Sequence, residues 1–223
     1  MSVNKEAYHN IKAELDTQSV KLVAVSKTKP NEDILALYEL GQRDFGENYV
    51  QELIDKETSL PKDIHWHFIG HLQSNKVKYI APFVYLIHGV DSEKLLQEIN
   101  KQAAKHQRII NCLLQVHIAT EETKFGFDAE SINEFIHSGR INNYPNVRII
   151  GLMGMASFSN NIQQVESEFK GLKSIFENVA TAMHSDFNQL SMGMSGDYQL
   201  AIKNGSNLVR IGSLLFGARN YTT

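Results

Sequence analysis

The residues whose types could do chemistry together are a lysine at the end of an apolar run, two short glycine- and serine-bearing segments far downstream, and one arginine. Lys27 lies in LVAVSKTKP, residues 22–30. Leu22, Val23, Ala24 and Val25 read as the continuous apolar run of a strand buried on both faces. With side chains alternating, Lys27 shares a face with Val23 and Val25, so an amine stands at the carboxyl end of a core strand. Two readings compete. Lysine is almost never fully buried unless paired, which makes Lys27 a solvated turn residue. An imine-forming lysine is the other reading. It needs a desolvated or cation-neighboured site to stay partly neutral near pH 7, against an ordinary pKa of about 10.4. Lys29 offers such a neighbouring charge, and also reads as an ordinary surface lysine.

Met194-Ser195-Gly196-Asp197 falls where a strand hands over to a helix, and there backbone N–H groups and a hydroxyl suit a phosphate. Arg210-Ile211-Gly212-Ser213 repeats the theme, with Gly212 permitting close backbone approach and Ser213 adding a donor. Glycine and serine at strand ends are usually turn chemistry; two such segments on consecutive strands carry more weight than either alone. An amine, a phosphate cradle and an arginine facing one bowl are the parts of a pyridoxal phosphate site. An inward Arg210, with its permanent charge, would keep the ring nitrogen unprotonated and make the cofactor a weaker electron sink.

The elements that must position these residues repeat along the chain. Candidate strands at 22–27, 44–48, 65–70, 85–91, 108–118, 147–157, 189–195 and 208–217 alternate with helical patterns, the most regular being 161–184, where Ile162, Val165, Phe169, Leu172, Phe176, Val179 and Met183 recur in steps of three and four. Strands alternating with helices predict a parallel sheet, and eight such units an α/β fold closed as a TIM (β/α)8 barrel. An open doubly wound sheet is the alternative, but no G-x-G-x-x-G follows the first strand. The expected organisation is one domain over residues 1–223, with residues 1–18 as an extra N-terminal helix packed on it. Barrels work at the carboxyl ends of their strands and often bind phosphate after strands seven and eight, where the two segments fall.

Composition excludes several classes. Lys and Arg total 22 against 25 acidic residues, a net charge of −3 without the basic footprint of a nucleic-acid binder. The N-terminus lacks a secretory apolar core and no run approaches the ~20 residues of a membrane span. The expectation is a cytoplasmic monomer with no membrane or nucleic-acid partner. The lone Cys112, inside IINCLLQV, fits a reducing compartment and reads as core rather than nucleophile. His65 and His67 share a strand face with His71 beyond, but no acidic or cysteine cluster completes a zinc set; Trp66 and Phe68 read as core. HIATEETKFGF, 117–127, with Glu121, Glu122 and Lys124 beside Phe125, Gly126 and Phe127, reads as a lid or a solvated loop. Met153, Met155, Met192 and Met194 read as barrel filling.

AVSKTKP at 24–30, DFGENYVQE at 44–52, WHFIGHLQSNK at 66–76, KFGF at 124–127, GLMGMAS at 151–157, LSMGMSGDY at 190–198 and VRIGSLLFGAR at 209–219 together resemble the YggS/PROSC family of pyridoxal phosphate homeostasis proteins, over nearly the whole chain. The resemblance implies a fold-type III barrel like that of alanine racemase. It implies that Lys27 carries pyridoxal 5'-phosphate as an aldimine, that Ser195, Gly212 and Ser213 bind the phosphate, that Arg210 faces the ring nitrogen, and that Asn48 and Met155 line the cofactor. It further implies cofactor homeostasis and delivery to apo-enzymes without an established catalytic activity. Six residues follow Gly217, leaving no room for the second domain that supplies racemase relatives with a tyrosine acid/base; that argues against efficient racemisation. The competing expectations are a pyridoxal phosphate-dependent racemase or decarboxylase, and an aldolase-type barrel whose lysine traps a phosphorylated sugar.

Overall fold

The computed structural model describes residues 3–119 and 125–217. Eight parallel strands, β1 (Lys21–Val25), β2 (Asp44–Glu47), β3 (His65–Phe68), β4 (Leu86–Val90), β5 (Ile110–Gln115), β6 (Val147–Met153), β7 (Gln189–Ser191) and β8 (Leu208–Ile211), close in sequence order with β8 paired to β1. The helices are α1 (Lys5–Thr17), α2 (Asn31–Tyr38), α3 (Val50–Ser59), α4 (Val77–Ile80), α5 (Glu93–Lys105), α6 (Ala129–His137), α7 (Ile162–Ala180), α8 (Tyr198–Lys203) and α9 (Ser213–Phe216). This is the expected α/β TIM barrel, not an open sheet. Every expected strand is present and shorter than expected, mostly because the stretch runs on past the carboxyl end of the strand, and in the last case into α9.

Alternation sorts each strand into two faces. Ala24, Phe45, Trp66, Phe68, Ile87, Leu114, Leu152, Leu190 and Val209 turn outward into the layer under the helices, with Phe135, Phe169 and Leu172. Burying each large side chain there contributes about 2–3 kcal/mol. Val23, Leu86, Leu113, Met153 and Leu208 form a smaller cluster inside the barrel, with Met155 packed against it. Met192 belongs to the outer layer instead, and Cys112 is fully buried there, where burial pushes its thiol well above its ordinary pKa.

On α7, Val165, Phe169, Leu172 and Val179 are buried as the spacing predicts, whereas Ile162 at the first turn is 68% exposed. On α1 the buried residues are Tyr8, Ile11 and Leu15; Asn4 caps the helix by accepting from the Ala7 N–H at 3.0 Å. The Asn4 N–H donates to Leu215 O, and Tyr198 donates to Glu14 at 2.9 Å, so α1 rests on the seam where β8 meets β1. No described helix is long and apolar enough to cross a membrane.

Candidate functional site

β1 stops at Val25, two residues before Lys27. The lysine is half-buried in a turn between Ser26, fully buried, and Thr28, whose φ of 63° is uncommon for a residue with a branched Cβ. Three charged side chains hold that turn. Lys56 of α3 donates to Ser26 O at 2.8 Å, to Glu47 at 2.8 Å and to Glu52 at 2.7 Å. Glu47, at the end of β2, accepts from Ser26 Oγ at 2.6 Å, and Glu52 accepts from the Thr28 N–H at 2.6 Å. Both neighbours of Lys27 are thus fixed from the helix side. Lys29 donates from Nζ to Phe216 O at 2.8 Å and so ties the same loop to α9. Burial raises the Glu47 carboxyl to about 7, outweighing the nearby Lys56 ammonium.

Val23 of β1 pairs in register with Arg210 of β8, and Ala24 with Ile211. Ile211 lies in the outer layer, so Arg210 points into the barrel, on the face that sequence alternation assigns it. Its guanidinium is buried and donates to Ser191 Oγ at 2.5 Å and to Gly154 O at 3.1 Å. Burial lowers its pKa to about 10, against the pull of Asp197, so it stays charged at neutral pH.

Ser195 Oγ accepts from the Gly212 N–H at 3.2 Å, which joins the loop after β7 to the loop after β8. A Cβ on Gly212 would stand 3.3 Å from both the Cβ and the carbonyl oxygen of Val25, a tight contact, so glycine lets this loop lie against the end of β1 without displacement. Ser213 opens α9 and is exposed, and the first N–H groups of that helix lack intrahelical acceptors. Asp197 accepts from the Met194 N–H at 2.6 Å. A Cβ on Gly196 would meet nothing within 4 Å. Two hydroxyls and helix-start N–H groups therefore gather at one place beside open space.

Asn48 follows β2, and its Oδ1 is buried with no hydrogen-bond partner among the described residues. A cleft of about 460 Å³ opens beside it, lined by Tyr49, Phe68, His71, Lys76 and Tyr79. None of Lys27, Ser195, Arg210 and Ser213 lines that cleft. The donor set, not the concavity, therefore identifies the candidate site.

The remaining histidines separate. His71 pairs with Asp91 at 3.0 Å and stacks on Phe125 at the carboxyl mouth, whereas His65 and His67 both reach Asp44 at the amino end of the barrel, at 3.3 and 2.9 Å. Among the described residues no group of three or more metal-ligating side chains converges. Of the lid stretch, Glu121, Glu122 and Lys124 lie outside the described residues, and Phe125 is 55% exposed. Sequence reasoning missed Glu47, Lys56 and Glu52. The available signal was a glutamate in a short strand, followed by lysine and glutamate on one helical face.

The family described as "Alanine racemase, N-terminal domain" matches residues 5–220. A relative in Aquifex aeolicus, named "Pyridoxal phosphate homeostasis protein", is 40% identical over 202 residues, covering 90% of this chain and 88% of its own. The Homo sapiens protein of the same name is 39% identical over 217 residues, covering 91% and 78%. PipY of Synechococcus elongatus PCC7942, solved with PLP bound, superposes with a TM-score of 0.81 at 34% identity, over 92% of this chain and 97% of that one. By fold and by identity along its length, the chain belongs to the pyridoxal phosphate homeostasis proteins, within the alanine racemase N-terminal domain family.

Proposed function

We propose that this chain binds pyridoxal 5'-phosphate at the carboxyl mouth of the barrel through Lys27, and holds it reversibly for supply to apo-enzymes inside the cell, without turning over a substrate of its own. The observation that carries the reading is the Ser195–Gly212 hydrogen bond, which binds the loops after β7 and β8 into one donor cradle near the inward Arg210 and the end of β1. The names of the relatives and the PLP in PipY support the same ligand. The residues present fit it: hydroxyl and N–H donors face open space, Asp197 is bonded to the Met194 N–H, and the Asn48 oxygen is a buried acceptor without a partner.

When bound, the cofactor supplies an aldehyde that a primary amine captures with loss of water and releases on hydrolysis. Lys27 supplies that amine on a turn held by Lys56, Glu47 and Glu52. Ser195 and Ser213 supply phosphate donors, and Gly212 supplies the close approach. Arg210 presents a permanent positive charge to the ring, while Asn48 and Met155 form walls. In this reading residues 1–223 act as one binding domain, working as a monomer.

Borohydride treatment of the cofactor-loaded protein, followed by mass spectrometry, should place a phosphopyridoxyl group on Lys27, and Lys27→Ala should lose it. An unmodified Lys27, with no visible absorption after incubation with the cofactor, would sink the reading. Exchange of an amino acid's α-proton at enzymic rates would replace holding with catalysis.

A further inference from the structure

A row of buried polar groups crosses the interior of the barrel, and the site described above uses only its first member. Arg210 of β8 donates to Ser191 Oγ of β7. Ser191 Oγ lies 3.3 Å from His88 Nδ1 of β4, His88 Nε2 lies 2.9 Å from His67 Nδ1 of β3, and His67 Nε2 lies 2.9 Å from Asp44 Oδ1 of β2. Ser191, His88 and His67 are between 0% and 2% exposed, in the space otherwise filled by Val23, Leu86, Leu113, Met153 and Leu208.

The chemistry of the two ends fixes every proton between them. Arginine only donates, so Ser191 Oγ accepts from it and must aim its own hydrogen elsewhere. That hydrogen goes to His88 Nδ1, which leaves His88 protonated at Nε2. His88 Nε2–H then donates to His67 Nδ1, and His67 Nε2–H donates to Asp44, a carboxylate that only accepts. Each imidazole is neutral and held in one tautomer. Burial drives His67 below its ordinary pKa and His88 far below it, in keeping with that assignment. Burial pushes Asp44 up, but the hydrogen bonds it accepts from His67 and His65 draw it the other way and leave it below the ordinary carboxylate value, so it carries its charge. Among the described residues no carboxylate lies within ion-pair distance of the Arg210 guanidinium. Asp197 acts on that charge without touching it, and a buried charge is costly unless answered further; the hydrogen-bonded row leads to a second carboxylate, Asp44.

We infer that Ser191, His88, His67 and Asp44 are positioning residues for Arg210: a relay of fixed polarity that orients its guanidinium and answers its charge from the opposite mouth of the barrel. The part of this inference that concerns the cofactor rests on the proposed function, in which Arg210 faces the ring. Asp44 and its neighbour His65 sit at the amino end of the barrel, away from Lys27, so a change there reaches the cofactor only through the relay.

The test uses the full chain in two forms. In the cofactor-free protein, nitrogen-15 NMR should find His67 and His88 neutral and protonated at Nε2 at pH 7. In the loaded protein, Asp44→Asn keeps an oxygen that accepts from His67 and removes only the charge. It should move the visible absorption band of the bound cofactor and change its dissociation constant by about threefold or more, the scale of coupling within one hydrogen-bonded network. His88→Gln, which breaks the row at its centre, should give a larger change in the same direction; if it fails to fold, Asp44→Asn at the partly exposed end decides alone. Either imidazole protonated at Nδ1, or an Asp44→Asn protein with wild-type band and affinity, overturns the relay. Wild-type protein that takes up no cofactor overturns the proposed function instead, and the relay is then judged by the two tautomers.

Discussion

Replacing Glu47 with glutamine should remove a pH dependence of stability between about pH 4.5 and 7. Glu47 is fully buried; Oε1 accepts from Ser26 and Lys56, and Oε2 has no partner among the described residues. Burial raises its carboxyl from 4.5 to about 7 despite the Lys56 ammonium. In that window the folded chain therefore holds a proton that the unfolded chain has released, so stability is fullest below the unfolded value and falls as pH rises through the folded one. At 1.36 kcal/mol per unit, the shift is worth about 3 kcal/mol between the two limits. Glutamine keeps the size and the acceptor for Ser26 but does not titrate. His67 and His88 contribute with the opposite sign, because burial keeps them neutral while the unfolded chain takes up protons in acid, and they are common to both proteins. Urea unfolding of wild type and Glu47→Gln at steps from about pH 5 to about pH 8 isolates the glutamate. The stability of wild type relative to the variant should drop by about 2.5 kcal/mol across the series. Parallel curves would refute the claim that burial, not Lys56, governs this carboxyl.

Two further expectations follow from packing. Gly212→Ala puts a methyl 3.3 Å from Val25 Cβ and O, so the loop after β8 and the end of β1 must shift slightly apart; thermal melts should show a loss of about 1–2 kcal/mol, and cofactor titration a weakening of about tenfold, equal to about 1.4 kcal/mol. Unchanged melting and affinity would mean that this contact is slack. Cys112, fully buried with its thiol held protonated, should resist a thiol reagent in the native protein and react at once in urea; rapid native labelling would place it outside the core.

The barrel was legible in the sequence because its signal is long-range in number and short-range in kind: each strand is an apolar run and each helix a periodic one. The nearness of the Ser195 and Gly212 loops, and the inward face of Arg210, were legible for the same reason, since strand order and alternation dictate them. What the sequence could not show is who meets whom across the closed sheet. His88 and Ser191 are far apart in the chain and touch only because β4 and β7 face each other across the interior. Their signal was present as a pattern without a partner: Asp44, His67, His88, Ser191 and Arg210 each occupy an inward position in strands that are otherwise mostly apolar. The histidines at 65 and 67 drew notice as possible ligands, and geometry instead makes one of them a link between two charges. The end of β1 was placed two residues too late, because the clamp from Lys56 and Glu47 that turns the chain at Ser26 is a tertiary contact.

The seam between β1 and β8 has a consequence for how the protein is made. The Lys27 turn belongs to the first barrel strand to leave the ribosome, whereas Arg210, Gly212 and the α9 carbonyl that receives Lys29 belong to the last. A chain still being synthesised thus exposes its amine long before it owns a cradle for an anion, and a reactive aldehyde met at that stage finds nothing to retain it. In the proposed function, tight capture therefore waits until β8 has paired with β1, and a ligand held across that pairing resists reopening along that one line.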